Sequence, residues 1–234
     1  MKKKKKSRIR RKRKMYWRNW RRLYREIEVD FNFSYEKEIR ARNTLSKILG
    51  DRHLEENEIK NILGDEVYIT GFSPSLEREI ELIPDGACII AADDSASVLH
   101  EFGIEPGIVI TDLDGDVSKL LELRNSVFGI HAHGDNMHLL NYADFFQKRF
   151  GTTQIEPIAN VYNFGGFTDG DRAVFLAWHF GAKIHLVGFD FEHPRIKEGK
   201  NIVMKRKKLR WARYLIDYAS NSGATIIWES LNSK

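Results

Sequence analysis

A chain of 234 residues that is 42% hydrophobic and 12% aromatic can bury one sizeable core and leave a small extension. Its apolar runs fall far short of the roughly 20 residues that span a bilayer, no apolar stretch follows the basic start, and one cysteine, Cys88, cannot form an internal disulfide, so membrane and secretory readings give way to a reduced, cytoplasmic one. The net charge of +5 averages two unlike parts: residues 1–25 hold 15 of the 38 Lys and Arg and no acid, and the rest of the chain carries a formal charge of −10.

Residues 1–14, MKKKKKSRIRRKRK, are low in complexity and self-repelling, and are expected to be disordered alone. Two readings stay open for them: attachment to nucleic acid or another anionic surface, or a solvated tail with no part in the chemistry. The acidic remainder argues against nucleic acid as a partner through any other segment. Residues 15–63 read as a small N-terminal helical subdomain. Trp17, Trp20, Tyr24 and Ile27 recur at helical spacing as a packing stripe, and a second helix, about Tyr35–Leu49, stops at Gly50.

Residues 64–234 read as an α/β catalytic domain. Strands are expected at Val67–Thr70, Cys88–Ala92, Ile108–Thr111, Val127–His131, near Pro157–Val161, at Ile184–Val187 and at Thr225–Trp228. Helices are expected between most of them, at 75–82, 95–102, 117–124, 136–149, 170–180 and 205–221. This alternation implies a mostly parallel, Rossmann-like sheet with helices on both faces, and ligands beyond the carboxyl ends of the strands.

The polar motifs sit at those strand ends. Thr111-Asp112-Leu113-Asp114-Gly115-Asp116 places three carboxylates in six residues; on an extended backbone Asp112 and Asp114 share a side. Like charges so close call for a compensating cation, above all Mg²⁺, unless the segment is only a solvated acidic turn. Val117 and Leu123 stand where an EF-hand needs Gly and Glu, which excludes that motif.

Gly71-Phe72-Ser73-Pro74-Ser75 opens a helix whose N–H groups could hold phosphate, or is an ordinary turn capped by Ser73. Asp93 and Asp94 end the second strand, one facing a ligand and the other capping a helix. His131 and His133 suit Zn²⁺, or one packs and the other lines the cleft beside Asp135 and Asn136. In Asn163–Arg172, Gly165 and Gly166 would clear space for a ligand and Thr168 or Asp169 would cap a helix. Asp169 and Asp171 would extend the metal shell, and Arg172 would meet phosphate or an acid. Lys205–Lys208 form a solvated face or neutralise a polyphosphate.

Taken in order, GFSPSLE (71–77), GIEPGIVITDLDGD ending at Asp116, HAHGDN (131–136), GTTQ (151–154), NFGGFTDGDRAVFLA (163–177) and GFDF (188–191) resemble archaeal 6-hydroxymethyl-7,8-dihydropterin diphosphokinases. The likeness runs from about Trp17 to Leu215. Thiamine pyrophosphokinases are related in fold and look similar at Asp112/Asp114 and Thr168/Asp169. Two features depart from the family pattern: Asp93-Asp94-Ser95 stands where Asp-Gly-Ala is expected, and the basic tail has no counterpart.

The resemblance implies transfer of diphosphate from ATP to the hydroxymethyl group of a reduced pterin, releasing AMP, in methanopterin or folate synthesis. Asp112, Asp114, Asp169 and His133 would be catalytic, with Asp112, Asp114, Asp116 and Asp171 around one or two Mg²⁺. Gly71, Ser73, Ser75, Gly165, Gly166, Thr168, Arg172, Lys205 and Lys208 would contact ATP or the substrate. Asp93 and Asn136, with His133, would read the pterin. Homo-oligomerisation is left open. A nucleotide-sugar glycosyltransferase, whose Gly-x-x-Pro-Ser-Leu turn is shared, and a thiamine pyrophosphokinase-like enzyme are the alternatives on the same scaffold.

Overall fold

The computed structural model describes residues 19–196 and 201–231. The basic segment 1–14 and Trp17 lie outside the described residues. A helix over residues 19–31 (α1) is followed by α2 (Tyr35–Leu49) and α3 (Glu56–Ile62). The alternating part comprises β1 (Glu66–Thr70), α4 (Leu76–Glu79), β2 (Ile89–Ala92), α5 (Ser95–Glu101), β3 (Ile108–Thr111), α6 (Val117–Leu120) and β4 (Val127–His131). It continues with β5 (Arg149–Thr152), β6 (Val161–Tyr162), α7 (Asp169–Phe180), β7 (Lys183–Val187), α8 (Ile202–Asn221) and β8 (Ile226–Trp228).

The eight strands form a single sheet in the order β6-β5-β4-β3-β2-β1-β7-β8, and every pairing between them is parallel. The chain therefore steps outward from β1 to β6, then returns through α7 to place β7 on the other side of β1. A crevice opens beyond the carboxyl ends where the direction reverses.

Both faces of the sheet are covered, which is why its strands read as continuous apolar runs. On one face Val67, Ile69, Ile90, Ile108 and Ile110 meet the apolar sides of α7, α8 and α1. On the other, Ile89, Ala91, Val109, Phe128 and Ile130 meet α2, α5 and the turns beside them. The N-terminal helices thus enter both cores. Trp20 of α1 packs edge-on against Phe175 of α7, with ring centroids 5.8 Å apart, and its Nε1 donates to the carbonyl of Gln154 at 2.9 Å. Ala41, Leu45 and Leu49 of α2 are buried on the opposite face. Asp30, at the end of α1, accepts from Trp211 Nε1 at 2.7 Å and pairs with Lys207 at 2.9 Å, which ties α1 to α8.

Two expectations fail in the same region. No α-helix forms over 136–149; the segment makes a 3-10 turn at Leu140–Phe145 and then strand β5. Arg149 hides this strand from a sequence reading, because it is buried, donating through Nη1 to the Phe146 carbonyl at 2.5 Å and pairing through Nη2 with Asp144. The strand expected near 157–161 is reduced to an isolated antiparallel bridge, Ile158 with Val161, ahead of the two-residue β6. The helix expected over 117–124 ends at Leu120, and α8 starts three residues early, where Asn201 accepts from the N–H groups of Val203 and Met204.

Candidate active site

The acidic segment leaves β3 at Thr111 and does not stay extended. Leu113 is buried with φ +66°, so strand alternation is not what brings Asp112 and Asp114 together. Thr111 holds this conformation. Its Oγ1 accepts from Leu113 N–H at 2.9 Å and donates to Asp93 Oδ1 at 2.7 Å. Asp112 Oδ1 in turn accepts from Asp114 N–H at 3.1 Å. Asp93 also has positive φ, +42°, and a side chain on Gly115 would stand 2.8 Å from Asp94 Oδ1. Two strained residues from neighbouring strands thus converge on one group of carboxylates.

The electrostatics follow from that convergence. Burial raises the Asp112 carboxyl, but the hydrogen bond and charge of His133, the Asp114 N–H and the charge of Lys208 outweigh it and hold the group well below the usual carboxylate range. His133 Nε2 lies 3.4 Å from Asp112 Oδ2, and its Nδ1 accepts from Asp135 N–H at 3.3 Å. Asp169, at the start of α7, goes the other way. Burial, then the charges of Asp112 and Asp93, push it well above its ordinary value against the pull of Arg172.

These groups line a cleft of about 320 Å³ over the strand ends. Of the residues singled out by the sequence, Asp93, Asp112, Asp114, His133 and Asp169 stand on its wall. Gly71, Ser73, Thr168, Lys205 and Lys208 complete that set, the two lysines projecting from α8. Gly71 also serves the fold, since a Cβ there would meet the Gly188 carbonyl at 2.7 Å.

Other expected site residues have different tasks. Arg172 does not reach a phosphate; it is buried and donates through Nη2 to His131 Nε2 at 3.0 Å and the Phe167 carbonyl at 3.1 Å. Because a guanidinium only donates, His131 accepts at Nε2, is neutral, and donates from Nδ1 to Thr152 Oγ1 at 3.1 Å. Burial and then Arg172 hold its pKa well below the ordinary value. So His131 packs while His133 lines the cleft. Asn136 does not read a ligand; its Nδ2 donates to the carbonyls of Asp112 and His131 at 2.7 Å each, and its Oδ1 accepts from His133 N–H.

Asp171 is not placed as a metal ligand. It occupies the third position of α7, where its carboxylate accepts from the N–H groups of Phe167 and Thr168 in a capping box with Thr168. Asp116 caps α6 by accepting from Ser118 and Lys119, outside the main cleft. Gly166 clears space for the α7 backbone at Arg172 and not for a ligand, and neither it nor Gly165 lines the cleft. The 71–76 turn is not an open phosphate cradle. Its N–H groups at Gly71, Ser73, Ser75 and Leu76 are all bonded within the protein, and Ser75 Oγ is bonded to Ser73 Oγ.

Asp171→Ala is expected to lose about 2–3 kcal/mol, because two buried N–H groups lose their acceptor. Thermal unfolding checks the loss. An Asp171→Asn protein with its own carbonyl acceptor should recover part of it.

Four further residues were not evident from sequence. Glu38, buried on α2, accepts from Gly134 N–H at 3.0 Å and Gln154 Nε2 at 2.9 Å, so α2 holds two of the loops at the cleft. Burial raises its pKa. Phe33 and Gln154 line the cleft, and Arg195 closes its other side, donating to both oxygens of Glu77 at 2.6 Å with its guanidinium 4.5 Å from the Phe72 ring centre. The only signal for Glu38 was an acid on the buried side of an amphipathic helix.

Among the described residues, no three His, Cys, Asp or Glu side chains converge closely enough to hold a metal ion unaided. That suits Mg²⁺, which keeps waters and is held by one or two carboxylates together with substrate phosphates. Asp112 and Asp114 supply the hard oxygen donors this requires. No helix among the described residues is long and apolar enough to cross a membrane.

The family described as 6-hydroxymethylpterin diphosphokinase MptE-like matches residues 42–195. A 6-hydroxymethyl-7,8-dihydropterin pyrophosphokinase of Pyrococcus furiosus is 42% identical over 229 residues, covering 92% of this chain and 99% of the relative. Proteins of the same name from Methanocaldococcus jannaschii and Methanothermobacter thermautotrophicus are 36% and 33% identical, each over 87% of this chain and 95% of the relative. Among solved structures, the MAf glycosyltransferase from Magnetospirillum magneticum AMB-1 matches with a TM-score of 0.52 at 16% identity, over 74% of this chain and 34% of that one, a likeness of fold alone. By the extent of these matches, the chain belongs to the 6-hydroxymethylpterin diphosphokinase MptE-like family.

Proposed function

We propose that this protein is a pterin diphosphokinase that transfers the terminal diphosphate of ATP to the hydroxymethyl group of 6-hydroxymethyl-7,8-dihydropterin, leaving AMP. The observation that carries the reading is the gathering of Asp93, Asp112, Asp114 and Asp169 opposite Lys205 and Lys208 in one cleft, in a chain whose relatives bear that activity in their names. Carboxylates that repel one another, faced by lysines, are arranged for a cation and a polyphosphate together.

Asp112 and Asp114 would hold Mg²⁺, which would neutralise charge on the phosphates as the transferred phosphorus changes partners. Lys205 and Lys208 hold the triphosphate chain, and Ser73 offers a hydroxyl on the same wall. His133 fixes Asp112 in place. Asp169, whose affinity for a proton is raised by its neighbours, takes the proton from the attacking hydroxyl as its oxygen bonds to the β-phosphorus and AMP departs. The product serves methanopterin or folate synthesis.

The test is product analysis with ATP, Mg²⁺ and 6-hydroxymethyl-7,8-dihydropterin. Equal amounts of AMP and pterin diphosphate, abolished by EDTA, are expected. Absence of AMP, with hydrolysis of a nucleotide sugar in its place, would overturn the assignment.

A further inference from the structure

The cleft does not end at the carboxylates. Asp112, Asp114, His133, Asp135 and Lys208 also form one wall of a second, more open cavity of about 810 Å³ on the far side of the acidic segment. The two lobes differ in chemistry. The first holds Lys205 and Arg195 in addition to the shared Lys208, whereas Lys208 is the one Lys or Arg on the second lobe among the described residues. The remaining wall of the second lobe is apolar: Leu121, Leu139, Tyr142 and Phe145. Phe145 is 63% exposed and Tyr142 42%, and their rings lie 6.1 Å apart at 45°. Large aromatic surface left open beside an acidic centre is unusual unless something covers it.

A transfer between two substrates needs both at the same phosphorus, attacking and leaving groups on opposite sides. Two lobes that meet at the carboxylates have that layout. Resting on the diphosphokinase reading above, we infer that the second lobe is the acceptor subsite and takes the uncharged, planar pterin ring, stacked on Tyr142 and Phe145 with its hydroxymethyl arm toward Asp112. The nucleotide and its phosphates occupy the first lobe, where the cations are.

The experiment is a titration of the protein with 6-hydroxymethyl-7,8-dihydropterin in the presence of Mg²⁺ and α,β-methylene-ATP, followed by pterin fluorescence, together with steady-state kinetics. Tyr142→Ala and Phe145→Ala should each weaken pterin binding about 10-fold and raise its KM in step, the size expected for one lost stacking partner. The KM for ATP should stay within about twofold of wild type by the same separation of lobes. Both side chains are exposed, so the variants should fold, and an unchanged melting temperature verifies it. Pterin affinity equal to wild type in both variants, or a rise in the KM for ATP without one for the pterin, overturns the subsite alone. A wild-type protein that binds no pterin overturns the diphosphokinase reading and the subsite with it.

Discussion

Asp112→Asn is expected to lower kcat for diphosphate transfer by about a thousandfold while leaving the fold intact. The substitution keeps shape and removes charge. In the wild type His133, the Asp114 N–H and Lys208 keep this carboxyl ionised at any pH where the protein is used, so asparagine takes away a full negative charge from the point where a cation must sit. Stability should change little, because two effects offset. Repulsion within the group that includes Asp93 and Asp169 is relieved, while His133 and Lys208 lose a partner. Thermal unfolding with and without Mg²⁺ and ATP separates the roles: the pair should raise the Tm of the wild type and not that of the variant. An Asp112→Asn enzyme with wild-type kcat would remove this residue from the chemistry.

Gly166→Ala is expected to be the most damaging single-methyl change, at about 3–4 kcal/mol, the sum of a left-handed backbone and forced repacking. Gly166 has φ +88°, and a Cβ there would lie 2.3 Å from Arg172 Cα and 2.6 Å from its N. Those are backbone atoms in the first turn of α7, so no side chain can swing aside. Relief requires moving the start of the helix, which carries Thr168 and Asp169 and holds Arg172 against His131. A fall in Tm of roughly 6–16 °C follows for a chain of this size, accompanied by loss of activity. Gly181→Ala is the control. It has a similar φ of +85° at the other end of α7 with nothing within 4 Å, so it should lose only about 1 kcal/mol. Equal losses at the two positions would show that the close approach at Arg172 carries no energy.

The strand ends were legible because a parallel sheet imposes a plain grammar: a short apolar run, then a turn carrying polar residues. Ile108–Thr111 and Val127–His131 could be read to the residue, and with them Asp112 and His133 as groups facing the crevice. Strand β5 escaped because its first residue is an arginine whose charge is satisfied by Asp144 and a carbonyl, contacts made only on folding. Asp171 was misread although its signal was present: Thr168-Asp169-Gly170-Asp171 has the spacing of a capping box, in which the acid at the third helical position turns back to the N–H groups. Asn136, Arg172 and the two glycines were assigned to ligands because polar and small residues near a site look alike whether they touch the substrate or support what does.

The sequence by itself determined the α/β class, the order of its main strands, the acidic centre and the family, because these depend on residue type and spacing along the chain. Only the tertiary structure decided which carboxylates meet. Leu113 and Asp93 take strained conformations that no periodicity foretells, and Thr111 joins them across two strands. It also decided that α2, far away in the chain, supports the cleft through Glu38, and that the cleft has two lobes. Local pattern specifies what each segment prefers; contacts between distant segments, which set charge, strain and open space, exist only once the sheet has closed around them.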